Sequence, residues 1–471
     1  MNEIKPFKFS ETDDRTLKSV YLIGAGGIGM SALVRFFLAK GKKVAGYDRT
    51  PSPITNLLAE EGVDIHFTED MGLIPEEFLD KNTTLVVYTP AVPSTHKELV
   101  FFRENEFTLM KRSQALGLIT ASSRSICIAG THGKTTTSAM TAHLLKQSTI
   151  DCSAFLGGIL KNYNTNLLLS KHSDLVVVEA DEYDRSFHAL TPYMAVITAV
   201  DPDHLDIYGT PQAYRESFEK FTSLIQPDGV LLMKKGLDLT PSLQDGVFVF
   251  TYSATDESAD FYASNIRIDN GEIIFDFFAP ELTLLDVQLG VPVRTNIENG
   301  VAAMALAWLN NVTRHELRRA MHSFAGVQRR FDFQIKNDRM VYIDDYAHHP
   351  EELKSSIQSV KELFKGRKVT GIFQPHLYSR TKDFATEMAS ALSLLDRLIL
   401  LDIYPAREEP IPGVTSALIF NNVTLKDKTL CKKEELLKLL EKEDIDVLVT
   451  FGAGDIDRFV EPIRHMLNKK Q

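Results

Sequence analysis

The residues most able to do chemistry in this chain sit in a few short polar stretches, each just after an apolar run. The stretch CIAGTHGKTTTSAM, residues 127–140, sets Gly130, Thr131, His132, Gly133, Lys134, Thr135 and Thr136 in one tight loop. A glycine turn at a helix N-terminus offers free backbone N–H groups and the positive end of the helix dipole, a combination suited to phosphate. Lys134 would reach the β- and γ-phosphates of ATP, and the Thr135 hydroxyl would hold Mg²⁺. The common pattern G-x-x-x-x-G-K-[ST] has its first glycine where this chain has Ile128. The loop is therefore shorter than usual, with its phosphate-facing end intact. An incidental glycine turn with a surface lysine is the bland alternative.

A magnesium nucleotide also calls for a carboxylate at a neighbouring strand end. Glu179, closing DLVVVE, is the best candidate, and Asp181 and Glu182 could serve instead. His204, in DPDHLD, is either a second metal ligand or the cap of a turn. Residues Gly24, Ala25, Gly26, Gly27, Ile28 and Gly29 match G-x-G-x-x-G, and Asp48 follows about 20 residues on. NAD is the obvious ligand for such a turn. In a chain that also carries an ATP loop, a nucleotide-linked substrate fits better. Asn296 and Asn299, at i and i+3, could receive a base or ribose or could cap a helix. Arg329 and Arg330 could reach a phosphate or form a solvated basic pair. His348 and His349 are adjacent and lack the i, i+4 spacing that turns two imidazoles to one side, so a zinc site is rejected. His376 and Arg380 form a basic cluster suited to a carboxylate, with ordinary surface charge as its alternative.

The elements that must position these groups alternate strand, loop and helix, and the alternation starts afresh three times. It begins at residues 19–48, again at residues 125–147, and again after GVQRRFDF (326–333). Such alternation implies α/β architecture with parallel sheets covered by helices. Ligands then bind beyond the carboxyl ends of the strands, where all the polar stretches above lie. Residues 247–290 carry short alternating runs that suggest a small antiparallel insert. The expected domains are 1–120, 121–323 and 324–471.

Composition agrees with this plan. A chain of 471 residues with 44% hydrophobic and 24% charged residues is globular and too long for one core. Its net charge of −11 argues against broad nucleic-acid binding. Three widely spaced cysteines form no disulfide framework or zinc cluster, which fits a reducing compartment. The N-terminal MNEIKPFKFSETDD has no apolar core of a signal, and no run is long enough to span a membrane. The chain reads as cytoplasmic, without membrane insertion.

In order along the chain, GTHGKTTT, EADEYDRSF, DPDHLD, N-x-x-N, GVQRRF, DDYAHHP and FQPHLYSRT closely resemble the motifs of the ATP-dependent Mur ligases of peptidoglycan synthesis. Within that family, G-A-G-G-I-G-M at Gly24–Met30 resembles the branch that adds L-alanine to UDP-N-acetylmuramate. The resemblance implies three domains: an N-terminal Rossmann-like one for the UDP substrate, a central P-loop ATPase, and a C-terminal Rossmann-like one that brings the amino acid. It implies a muramoyl carboxylate attacking ATP, an acyl phosphate, and displacement of phosphate by the amino group.

Carried over residue by residue, it gives Lys134, Glu179, His204, Arg329 and His348 catalytic roles. It assigns Asn296, Asn299, Arg329, Asp345 and Tyr346 to ATP beside the loop, and Thr135, Glu179 and His204 to Mg²⁺, with Mn²⁺ as the alternative ion. The UDP substrate falls to the Gly24–Gly29 turn, Asp48, Thr89, Pro90, Arg112, His132 and Arg185. L-Alanine falls to His348, His376 and Arg380. It implies small-molecule partners only and a monomer or weak homodimer.

Three positions depart from the family pattern. Thr295 stands where a histidine is frequent, and Leu377 replaces an arginine. Phe218 falls near the lysine that sibling ligases carbamylate, so no carbamylation is expected. The alternatives are a ligase that adds a preformed tripeptide to the same UDP sugar, a folylpoly-γ-glutamate synthetase, and an NAD-dependent oxidoreductase or NAD-sensing regulator.

Overall fold

The computed structural model describes residues 17–269, 271–406 and 408–470, so the N-terminal stretch read above for a signal lies outside the described residues. Apolar runs that are continuous rather than alternating make strands buried on both faces, as parallel sheets require. The first sheet holds β1 (Ser19–Ile23), β2 (Lys43–Tyr47), β3 (Asp64–His66), β4 (Thr84–Tyr88) and β5 (Thr108–Lys111). Its order is β3-β2-β1-β4-β5, and every pairing is parallel. The direction of winding reverses between β1 and β4, which opens a crevice at their carboxyl ends. The Gly24–Gly29 turn leaves β1 on one side of that crevice and Thr89–Pro90 leave β4 on the other.

The second sheet centres on β6 (Arg124–Ala129) and includes β7 (Ser153–Leu160), β8 (Thr165–Leu168), β9 (Leu175–Glu179), β10 (Met194–Ile197), β11 (Val230–Lys234) and β12 (Phe248–Ser253). The order β12-β11-β10-β6-β9-β7 is parallel throughout, and β8 closes it antiparallel to β7. β13 (Phe261–Asp269), β14 (Glu272–Ala279) and β15 (Leu282–Gln288) follow side by side. β12 pairs in parallel with both β11 and the start of β13, so the antiparallel insert expected over 247–290 does not include its first strand. Alternation in VFVFTYS marks a strand without giving its direction.

The third sheet holds β16 (Asp332–Lys336), β17 (Val341–Asp345), β18 (Val369–Phe373), β19 (Arg397–Leu400), β20 (Lys428–Leu430) and β21 (Val447–Phe451). Its order is β16-β17-β21-β18-β19-β20, and only the β16–β17 pair is antiparallel.

The described chain forms two compact units. One takes the residues up to Tyr262 with Phe278–Leu282 and Asn299–Ala320, and the other takes Ala263–Phe277, Thr283–Glu298 and everything from Met321. The first two sheets thus share a unit. The helix Ile28–Ala39 packs on β7 and β8. There the buried Asn166 amide donates to the Ile28 carbonyl at 2.5 Å and accepts from Arg35 at 2.7 Å. No helix among the described residues is long and apolar enough to cross a membrane.

Beneath the first sheet a polar group is sealed in the core. Glu98 is fully buried, its carboxylate accepts the Tyr21 hydroxyl at 2.8 Å, and His66 lies 3.5 Å away. Burial pushes the Glu98 carboxyl up to about 7 from 4.5. A carboxylate whose folded pKa is raised binds more protons folded than unfolded, so its contribution to stability is full below pH 4.5 and is lost as pH rises through about 7. Glu98→Gln therefore gains on the wild type between pH 5 and pH 8, by roughly 5 °C in relative melting temperature. Thermal melts across that range check it, and parallel curves for the two proteins would refute it.

Candidate active site

Pairing register decides which side chains surround the short glycine loop. Ile128 of β6 stands opposite Glu179 of β9, and Ala129 stands opposite Ile197 of β10. The loop that leaves β6 is therefore flanked by Glu179 on one side and by Thr198 on the other. Gly130 has φ +140°, and a Cβ there would come within 2.1 Å of the Thr198 hydroxyl, so only glycine fits. The Thr198 hydroxyl donates to the His132 carbonyl, which holds the loop closed from below. Thr131 donates to the Asp201 carbonyl at 2.7 Å and meets the Tyr214 hydroxyl at 2.9 Å. The helix Lys134–Lys146 then starts directly from Gly133, with no side chain capping it. Its first N–H groups are left for a ligand, as a phosphate cradle requires.

Lys134 and Thr135 take different carboxylates. The Thr135 hydroxyl donates to Glu179 Oε1 at 3.0 Å, and the Gly157 N–H donates to Glu179 Oε2 at 3.1 Å. The Lys134 ammonium lies 2.7 Å from the Gly130 carbonyl and 2.8 Å from Glu182 Oε1. Glu182 is 2% exposed, and burial pushes its carboxyl up to about 7 even with the lysine beside it. A hydroxyl against an anchored carboxylate is a pair of hard oxygen donors, which fits Mg²⁺. The third expected metal ligand, His204, lies on a left-handed turn at φ +52° with its ring against Tyr183. Its backbone N–H is taken by Asp203 at 2.7 Å. His132 is exposed on the loop. Asn299 Oδ1 accepts the Thr137 hydroxyl at 3.2 Å, just behind Gly133.

At the crevice of the first sheet, the Thr89 N–H donates to the Ile23 carbonyl at 3.3 Å, which ties the loop after β4 back to β1. Asp48, read for the UDP substrate, accepts the Gly26 N–H on its carboxylate at 2.7 Å. In this arrangement Asp48 braces the turn. Arg112 donates to Asp181 at 3.0 Å, which brings the strand end after β9 against the first sheet's crevice. Between them lies a cleft of about 120 Å³, apolar at Ile28, Leu33, Phe155 and Leu156 and polar at Arg112, Glu179 and Asp181. Arg185 is exposed and lies 4.7 Å over the Tyr208 ring. It follows Asp184 in a left-handed pair, with φ of +52° and +55°. Phe218 is fully buried among Phe187 and Tyr214, so the position read for a carbamylated lysine is core.

The second unit gathers its own polar groups at the ends of β17 and β18. Arg329 donates to Asp344 at 3.3 Å and to the Gly452 carbonyl at 2.6 Å. Arg329 and Arg330 each lie 5.2 Å from the Tyr346 ring. Burial pushes Asp344 up to about 6, with Arg329 opposing, and it also raises Asp345, which accepts the Ser356 hydroxyl. The His348 and His376 rings are 5.9 Å apart, and burial holds His348 below the usual histidine range. Arg380 faces His348 from the first turn of the helix Tyr378–Leu392. Asn296 lies in this unit, where its amide donates to the Val291 carbonyl at 3.2 Å.

Gly157 escaped the sequence reading, and Glu182 and Leu377 stand differently from it. Glu182 was read only as a substitute for Glu179, whereas it is the partner of Lys134. Gly157 was not singled out, although a double glycine inside the strand SAFLGGIL signals a close backbone approach. A Cβ at Gly157 would lie 2.3 Å from Glu179 Oε2. Leu377 holds a left-handed φ of +70° at the helix start, and nothing in its residue type announces that.

The chain matches three family models end to end: the Mur ligase family catalytic domain over residues 19–124, the Mur ligase middle domain over 128–307, and the Mur ligase glutamate ligase domain over 329–454. It is 65% identical to the UDP-N-acetylmuramate–L-alanine ligase of Parabacteroides distasonis, covering 97% of this chain and 99% of that one. It is 62% identical to the ligase of the same name from Phocaeicola vulgatus, covering 97% and 100%. Among solved structures it is similar to the UDP-N-acetylmuramate-alanine ligase of Thermotoga maritima, with a TM-score of 0.81 at 27% identity, covering 96% and 100%.

Proposed function

The chain belongs to the Mur ligase family, and from that premise we propose that it joins L-alanine to the lactyl carboxylate of UDP-N-acetylmuramate at the expense of ATP. An acyl phosphate forms with release of ADP, and the amino group of alanine then displaces phosphate to make the amide. The observation that carries the reading is the divided pairing at the loop, with Thr135 on Glu179 and Lys134 free of that carboxylate. Phosphate, metal and lysine thereby have separate places. The shared name of the end-to-end relatives supports alanine as the amino acid.

Carboxylate attack on a polyphosphate meets like-charge repulsion, so positive charge near the reacting phosphate is the main requirement. Lys134 supplies it from the loop, whose backbone N–H groups orient the phosphates. Thr135 and Glu179, with His204 as a further ligand, would hold Mg²⁺, which supplies charge neutralisation when bound. The Gly24–Gly29 turn with Thr89, Pro90, Arg112 and Arg185 would take the UDP substrate, and His132 would meet its carboxylate. Arg329, Tyr346 and Asn296 would contact the nucleotide, and Arg380 with His376 and His348 would take the alanine carboxylate. We read residues 1–120, 121–323 and 324–471 as the segments for UDP substrate, ATP and amino acid. We place the reaction in the cytoplasm, with the protein a monomer or weak homodimer.

Phosphate release with UDP-N-acetylmuramate and ATP tests the reading. Turnover is expected with L-alanine and not with a preformed tripeptide. Turnover with tripeptide alone would assign the chain to the recycling reaction instead.

A further inference from the structure

The Lys134–Glu182 pair has a consequence beyond phosphate binding. The lysine of a phosphate loop must be available to phosphate, yet here its ammonium is taken up by a carboxylate and by its own loop. Nζ lies 2.7 Å from the Gly130 carbonyl, with both Glu182 oxygens within 2.8 Å. Glu182 is 2% exposed, and its carbonyl accepts the Tyr208 hydroxyl. The left-handed pair Asp184–Arg185 follows two residues on. Glu182 is thus fixed in the interior, and Lys134 is the mobile partner on its flexible stem.

We propose that Glu182 is a positioning residue for the nucleotide step: it holds Lys134 against the Gly130 carbonyl until the phosphates of a nucleoside polyphosphate draw the lysine away. This rests on the reading of residues 130–136 as a phosphate loop. The groups around the carboxylate are Lys134 from the loop, Asp181 beside it, and the Tyr208 and Tyr214 hydroxyls from the two following helices. Asp203 faces Tyr214, and Arg185 lies over the Tyr208 ring. When Lys134 leaves, Glu182 loses its direct counter-charge in a buried setting. A buried carboxylate without a partner binds a proton. Nucleotide binding then draws up to one proton from solvent onto Glu182 and becomes weaker as pH rises.

The test is calorimetric titration of the whole protein with magnesium-ADP from pH 7 to pH 9, in buffers of different ionisation heat. The wild type should take up a fraction of a proton and lose up to about tenfold in affinity per pH unit, the limit for one coupled proton. Glu182→Gln should bind with no uptake and a flat pH profile, several-fold tighter than the wild type at pH 8.5. Glu182→Asp should restore the pH dependence, which a packing role for the side chain would not predict. Equal uptake in wild type and Glu182→Gln, or a Glu182→Gln affinity lowered equally at every pH, overturns the proposal. Lys134→Ala separates the two readings. If it binds magnesium-ADP as the wild type does, the phosphate loop itself has been misread. If it binds weakly while Glu182→Gln behaves as wild type, only the holding role of Glu182 fails.

Discussion

Lys134→Ala is expected to lower phosphate release with UDP-N-acetylmuramate, ATP and L-alanine by at least about 10³-fold, the scale of removing one principal charge from a phosphoryl-transfer site. The ammonium sits at the mouth of the loop, 2.7 Å from the Gly130 carbonyl. Alanine removes the charge and the reach together, whereas the loop backbone is held by Thr198 and Thr131 and keeps its shape. Glu182 is left without its partner, but burial already raises its carboxyl to about 7, so protonation relieves the site at neutral pH. The Gly24–Gly29 turn makes its own contacts, with Asp48 bracing it at Gly26. Binding of UDP-N-acetylmuramate, measured by calorimetry, should therefore stay within about twofold of the wild type, as expected for a site that does not share the deleted group. Near-normal phosphate release would show that this loop does not hold the reacting nucleotide.

The sequence carried the α/β plan because its evidence is local. Apolar runs such as SICIA and DLVVV, each ending in glycine or acid, read as buried parallel strands with ligand groups at their carboxyl ends. The two glycine turns and Glu179 lie at strand ends for the same reason. What was not legible depends on pairing between distant segments. EADE offers three carboxylates in four residues, and only the register Ile128↔Glu179 decides that the first meets Thr135 while the last meets Lys134. Asp48 stands at a spacing that suits a ribose, and its bond to the Gly26 N–H is a matter of rotamer and backbone approach. β12 shows its alternation without its direction, so its parallel pairing with β11 and β13 could not be read. The helix Ile28–Ala39 reads as the covering helix of one sheet. Its packing on β7 and β8, through the buried Asn166, joins two expected domains into one unit.

Glu179→Gln carries the second large expected effect, and Gly157 makes it specific. Glu179 has one oxygen on the Thr135 hydroxyl and the other on the Gly157 N–H, so its orientation is set from both sides. The amide variant keeps the shape, loses the charge, and turns an N–H₂ group toward one of two donors. If carboxylate and hydroxyl oxygens hold a hard cation as proposed, turnover should fall by about 10²-fold and the magnesium concentration for half-maximal rate should rise about tenfold or more. Gly157→Ala reaches the same carboxylate without altering it. A Cβ at Gly157 would come within 2.3 Å of Oε2 and 2.5 Å of Oε1, which forces the carboxylate or the strand to move. If Gly157 acts only through Glu179, the two changes do not add: Gly157→Ala in the Glu179→Gln background should cost far less than it does alone. Magnesium titrations of the two single variants and the double variant measure this directly. Additive losses would place the effect of Gly157 on the strand, and an unchanged magnesium requirement in Glu179→Gln would remove Glu179 from the metal site.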